Sequence, residues 1–172
     1  MENKKHISLY IHGLDSSVNQ KKIEIIQYHS ETVYLNINYY EEKNTYMILS
    51  NLIKKEKVNC LIGSSFGGML AYWLGKEHNI PSLLFNPGFR KEEIINSFKK
   101  NNLNCPYNLI ILGENDTVVR PQSVLDFIDE MNEKNYDILK ISKLGHRIDL
   151  TTFEKTVCDF YQKINLWKRL ST

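Results

Sequence analysis

The chain has 172 residues, 42% of them hydrophobic and 24% charged. That balance suits one packed domain over residues 1–172 and excludes an intrinsically disordered chain. Lysine and arginine total 22 against 20 aspartates and glutamates, a formal net charge of +2, too even for the electrostatic footprint of a nucleic-acid-binding protein.

The three cysteines, Cys60, Cys105 and Cys158, are scattered and show no CxxC spacing, so neither a disulfide framework nor a metal site is expected. They read as free thiols in a reducing compartment. The start of the chain, Met1 to His6, is polar and lysine-bearing, and no apolar stretch follows that would serve as a signal peptide. No apolar run approaches membrane-spanning length. The expectation is a cytoplasmic protein with no membrane partner; the oligomeric state is not legible.

Short apolar, β-rich runs alternate with segments of helical period. Strands are predicted over Ile7–Ile11, Val33–Ile37, Val58–Ile62, Ser82–Phe85, Leu109–Leu112 and Ile138–Ile141. Helices are predicted between and after them. Val18–Gln27 opens behind Ser16 and Ser17 as N-cap candidates. Thr45–Lys55 carries Ile48, Leu49, Leu52 and Ile53 on one stripe, and Phe66–His78 stops before Asn79-Ile80-Pro81. Lys91–Lys100 carries Ile94, Ile95 and Phe98. Pro121–Asn132 starts on a proline suited to a first turn. Thr152–Leu166 follows a capping box, Thr151-x-x-Glu154, with Asp149 as a further cap. Six strands alternating with six helices imply an α/β protein with a parallel sheet and helices on both faces. Functional groups in such sheets gather in the loops beyond the C-terminal strand ends.

The loop after the third strand reads Gly63-Ser64-Ser65-Phe66-Gly67-Gly68, a G-x-S-x-G between a strand and a helix. A serine at such a turn is held in a strained backbone with its hydroxyl pushed out, and the glycines on either side avoid clashes. The helix that follows aims its first N–H groups at the same point. Ser65 is therefore the candidate nucleophile and the Phe66 N–H a candidate oxyanion donor. The alternative is a glycine-rich turn that only permits close packing. Phosphate-binding GxxxxGK[ST] and GxGxxG patterns are absent.

A serine hydroxyl needs a base, and the base an orienting carboxylate. In α/β-hydrolases they follow in the order serine, acid, histidine on later strand ends. Asp116 follows the fifth strand and His146 the sixth. Glu114, nearer the strand, is the alternative acid. A second oxyanion donor should come from the loop after the first strand, Tyr10-Ile11-His12-Gly13-Leu14-Asp15, with the Leu14 N–H as the candidate. His12 reads as structural, and Gly13 is expected at a φ that other residues resist.

Taken together, the stretch Leu9 to Ser17, the elbow Gly63 to Gly68, Phe85-Asn86-Pro87, Asp116 and Gly145-His146 resemble the YqiA-like esterases, small α/β-hydrolases without a lid domain. The resemblance spans nearly the whole chain. It implies hydrolysis of carboxylic esters or acyl-CoA thioesters, with Ser65, Asp116 and His146 as triad and Leu14 and Phe66 as backbone oxyanion donors. It implies no metal and no cofactor. The connection from Phe85 to Leu109 holds a single predicted helix where lids are usually inserted. An open site is therefore expected, edged by Leu14, Phe66, Met69 and Phe89. Arg90, Arg120 and Arg147 are candidates for holding a substrate anion, with surface solubility as the alternative. Two other functional readings stand beside a small-molecule ester or thioester hydrolase: a non-catalytic binding protein on the same scaffold, and a serine peptidase.

Overall fold

The structure, a computed structural model, describes residues 6–89 and 106–170. The predicted helix Lys91–Lys100 and Arg90 lie outside the described residues, as does the position where a lid would be inserted. In chain order the elements are β1 (Ile7–Ile11), α1 (Gln20–Gln27), β2 (Glu31–Tyr34), α2 (Thr45–Glu56), β3 (Cys60–Ser64) and α3 (Phe66–His78). Then come β4 (Ser82–Phe85), β5 (Asn108–Gly113), α4 (Pro121–Glu130), β6 (Tyr136–Ile141) and α5 (Leu150–Leu170). The six strands form one sheet in the order β2-β1-β3-β4-β5-β6, and every neighbouring pair is parallel.

Alternate residues along each strand feed two cores. Leu9, Leu61, Leu84, Ile110 and Leu112 point to one face, where α2, α3 and α4 pack with Leu49, Tyr72 and Phe127. Tyr10, Ile62, Leu83, Phe85 and Ile111 point to the other, against Ile23 and Ile26 of α1 and Phe153, Val157 and Phe160 of α5. Each fully buried Leu, Ile or Phe contributes about 1.5–3 kcal/mol. Burial on both faces explains why the inner strands read as near-continuous apolar runs. The edge strands β2 and β6 are partly exposed.

Several element boundaries differ from the sequence reading. β2 covers Glu31–Tyr34 because those residues pair with Ile7–Tyr10 of β1. Beyond Tyr34 the chain leaves the sheet, and the Ile37 N–H donates to His12 Nε2 over 3.1 Å. β3 starts at Cys60 because Val58 closes α2, its N–H donating to Ile53 O. α1 starts at Gln20, capped by Asn19, whose Oδ1 accepts the Lys22 N–H; Ser16 donates its hydroxyl to Gly13 O instead. α5 is capped by Asp149, which accepts from both the N–H and the hydroxyl of Thr152.

β1 and β3 are neighbours, and the chain leaves β1 toward β2 but leaves β3 toward β4, at opposite edges of the sheet. At such a switch point the loops beyond the strand ends diverge and leave a crevice. The loops after β1 and β3 meet there: a Cβ on Gly13 would lie 3.4 Å from Ser65 Cβ.

Candidate active site

Ser65 has φ 54° and ψ −119°, a conformation that a residue with a Cβ adopts only under strain. The tight turn from β3 into α3 imposes it. The flanking glycines make the turn possible: a Cβ on Gly63 would stand 2.2 Å from Gly67 O, and one on Gly67 2.3 Å from His12 O. The Ser65 N–H donates to Phe85 O over 2.9 Å, and its carbonyl accepts from Gly88 N over 3.0 Å. Phe66 opens α3, so its N–H has no acceptor within the helix.

Ser65 Oγ lies 3.0 Å from His146 Nε2, and His146 Nδ1 lies 2.7 Å from Asp116 Oδ2. A carboxylate only accepts, so the Nδ1 proton points at Asp116 and Nε2 is left to receive the serine proton. Asp116 is buried, and its Oδ1 accepts the N–H groups of Val118 and Val119 at 2.8 and 2.9 Å. Glu114 points to solvent. The fold thus unites Ser65, Asp116 and His146 from three separate loops.

His12 is buried, with both ring nitrogens engaged: Nδ1 donates to Gly13 O at 2.8 Å and Nε2 accepts from Ile37. It braces the loop that carries Leu14, and Tyr39 braces it further by donating to His12 O over 2.8 Å. Gly13 does not take a positive φ, nor does any other glycine, so that expectation is corrected. Its small size serves a crowded site, where Ser16 Oγ, Ser64 O and Ser65 Cβ all stand 3.4 Å from where its Cβ would be.

A groove of about 1320 Å³ runs past Ser65 and His146. Leu14, Phe66, Phe89, Val118 and Val119 supply apolar wall; Ser16, Ser17, Asn19 and Gln20 supply polar wall. Tyr10 is also on the lining, its phenol pushed up to about 12 by burial and therefore neutral. Lys22 lines the groove with its ammonium 4.9 Å from the centre of the Phe153 ring. Burial lowers its pKa, and the Asp149 carboxylate opposes that shift.

Met69 is corrected: it is 1% exposed and belongs to the core, because α3 is the central helix and is buried on nearly every side. Arg120 is also corrected. It precedes α4 in the open and does not line the groove, where Val118 and Val119 stand instead. Arg147 is exposed on the groove rim. Val118, Val119 and Gly88 were missed; their only signal was adjacency to Asp116 and to the Asn86-Pro87 turn. Among the described residues no group of three or more His, Cys, Asp or Glu could hold a metal ion, and no helix is long and apolar enough to cross a membrane.

A six-stranded parallel sheet between helices, with serine, acid and histidine in that order on the loops after β3, β5 and β6, defines an α/β-hydrolase fold. The chain belongs to the uncharacterised protein family UPF0227, the YqiA-like family, whose model matches residues 7–143. No curated protein matches it in sequence. Among solved structures it is similar to Est1E from Butyrivibrio proteoclasticus, also solved with ferulic acid bound. The TM-score is 0.72 at 14% identity, over 94% of this chain and 90% of that one. It is similar to a protein of the alpha/beta hydrolase superfamily from Xanthomonas campestris pv. campestris, with TM-score 0.70, 13% identity and coverage of 92% and 99%. It is also similar to SOBER1 from Arabidopsis thaliana, with TM-score 0.67, 15% identity and coverage of 92% and 98%. At these identities the likeness is one of fold.

Proposed function

We propose that the protein is a serine hydrolase that cleaves carboxylic esters or acyl-CoA thioesters through an acyl-enzyme. The observation that carries this reading is the hydrogen-bonded chain from Ser65 Oγ through His146 to the buried Asp116, at 3.0 and 2.7 Å, opening on the groove. In the reaction His146 Nε2 takes the hydroxyl proton as Ser65 Oγ attacks the substrate carbonyl carbon. Asp116 keeps the imidazole in the required tautomer and balances its positive charge. The N–H groups of Leu14 and Phe66 receive the oxyanion, an interaction worth about 3 kcal/mol per donor. His146 then gives its proton to the leaving alcohol or thiol, and the carbonyl re-forms as the acyl-enzyme. Water, deprotonated by His146, attacks that carbonyl and releases the acid and free Ser65.

The apolar wall beside the elbow suits an acyl group, and the polar wall along the β1–α1 loop suits the leaving group. Among the described residues, Arg147 on the rim is the arginine in position to meet a substrate anion. The test is labelling with a fluorophosphonate, followed by a screen of p-nitrophenyl esters, acyl-CoAs and methyl ferulate. The reading expects an adduct on Ser65 and hydrolysis of at least one substrate class, both lost in Ser65→Ala. A protein that takes no label and turns over none of these substrates is a binding protein on a hydrolase scaffold.

A further inference from the structure

We propose that Asn86 is a positioning residue that holds the histidine loop and the acid strand in register with Ser65. The inference rests on the hydrolase reading above. Asn86 follows β4, is 1% exposed, and has φ 42°, in the left-handed region that asparagine tolerates better than most residues. Its N–H donates to Ile111 O of β5 over 2.8 Å. Its side chain then makes three bonds to other loops. Oδ1 accepts the Gly113 N–H at 2.8 Å, while Nδ2 donates to Gly145 O at 3.0 Å and to His146 O at 3.1 Å. A carboxamide has one carbonyl oxygen and two N–H donors, and all three are engaged here.

These bonds reach both partners of Ser65. Two fall on the backbone of the base itself and the residue before it. The third falls on Gly113, whose carbonyl accepts the Asp116 N–H over 3.0 Å. The histidine loop is held from its other side by the Asn115 N–H, which donates to Leu144 O over 2.9 Å. The same β4 turn grips the nucleophile, through Phe85 O on the Ser65 N–H and the Gly88 N–H on Ser65 O. The four residues Phe85 to Gly88 therefore touch the loops of all three triad members, and the Asn86 side chain supplies the hydrogen bonds from that turn to the base. Few side chains fit. Aspartate has the shape and tolerates the φ but lacks the donors; glycine keeps the φ but has no clamp.

Displacing a reacting group by about 1 Å costs about 100-fold in rate, so losing the clamp should lower kcat with little effect on substrate binding. The experiment compares wild type, Asn86→Asp, Asn86→Gly and Ser65→Ala, with enzyme concentration set by active-site titration. It reads kcat and KM for p-nitrophenyl acetate, the thermal midpoint, and the downfield NMR signal of the His146 Nδ1 proton shared with Asp116. The expected result is folded variants with kcat per titrated site about 10- to 100-fold lower, KM within about twofold, and a moved or broadened proton signal. A kcat near wild type in either folded variant overturns the proposal. So does a fall in kcat with the proton signal unmoved, or loss of folding in both variants, which makes Asn86 a residue for folding alone. Failure of wild type to label or turn over counts against the hydrolase reading instead, and the proton signal still decides whether Asn86 holds His146.

Discussion

His146 Nδ1 meets Asp116 Oδ2 at 2.7 Å while the other oxygen of that carboxylate is held by two backbone N–H groups, so the acid cannot turn away from the ring. Asp116→Asn keeps the acceptor for Val118 and Val119 but turns a donor toward Nδ1. The imidazole must then carry its proton on Nε2, where it cannot receive that of Ser65. The expected outcome is a fall in kcat of about 10⁴-fold with little change in KM or thermal midpoint. Glu114→Gln, at an exposed position, should change kcat by less than about twofold. Steady-state kinetics on the two variants decide between the acids.

The strained backbone of Ser65 makes a prediction about stability. At most positions glycine is less stable than alanine by about 0.5–1 kcal/mol, through the entropy of the unfolded chain. At φ 54°, ψ −119° a Cβ costs about 1–3 kcal/mol, which outweighs that loss. Ser65→Gly should therefore unfold at a higher temperature than Ser65→Ala, although both should lack the proposed activity. Calorimetry of the two variants measures the order directly.

Gly88 occupies a position where neither backbone nor packing requires glycine. Its φ is not positive, and an added Cβ would meet Ser65 C, Val119 Cγ2 and Phe66 N only at 3.7–3.8 Å, ordinary contact distances. That space lies beside the Phe66 N–H, the proposed oxyanion donor, where the acyl chain of the proposed substrate would run. Gly88→Val should leave p-nitrophenyl acetate turnover close to wild type and reduce kcat/KM for the octanoate by at least about tenfold. A chain-length series on the two proteins tests it; equal losses at every length would count against this placement of the acyl group.

Asp149 links pH to the stability of α5. Its carboxyl lies below the ordinary 3.8 because it accepts the backbone N–H and then the hydroxyl of Thr152. The unfolded chain therefore takes up that proton more readily. The stabilisation is full above the ordinary carboxylate value and is lost as pH falls through the lower folded-state value. At neutral pH Asp149→Ala should cost roughly 1 kcal/mol, as N-cap losses do. The difference between variant and wild type in urea unfolding should shrink as the pH is taken below 3.8.

Much of this protein was legible without coordinates. Near-continuous apolar runs such as Leu109–Leu112 and Ser82–Phe85 announced strands covered on both faces, and the period of Phe66–His78 matched the observed helix residue for residue. Local pattern marks these because burial on a strand or helix is written at fixed spacing. It also marked the elbow, where a Cβ on Gly63 would strike the Gly67 carbonyl a turn later; Gly67 is required by the distant backbone of Ile11 and His12, which only the folded sheet brings alongside. Boundaries were less legible at β2 and β3, where strand pairing and the α2 cap, not apolar content, set the ends.

The amino-acid order alone determined the strand sequence, the turn that bears Ser65, and the presence of an acid and a histidine on later strand ends. Only the tertiary structure decided that Asp116 and not Glu114 faces the imidazole, that Met69 packs inward, and that Asn86 bonds to residues 27, 59 and 60 positions away. The reason is range. Periodicity and turn chemistry act over a few neighbours, whereas a hydrogen bond between loops exists only once the sheet has set their separation.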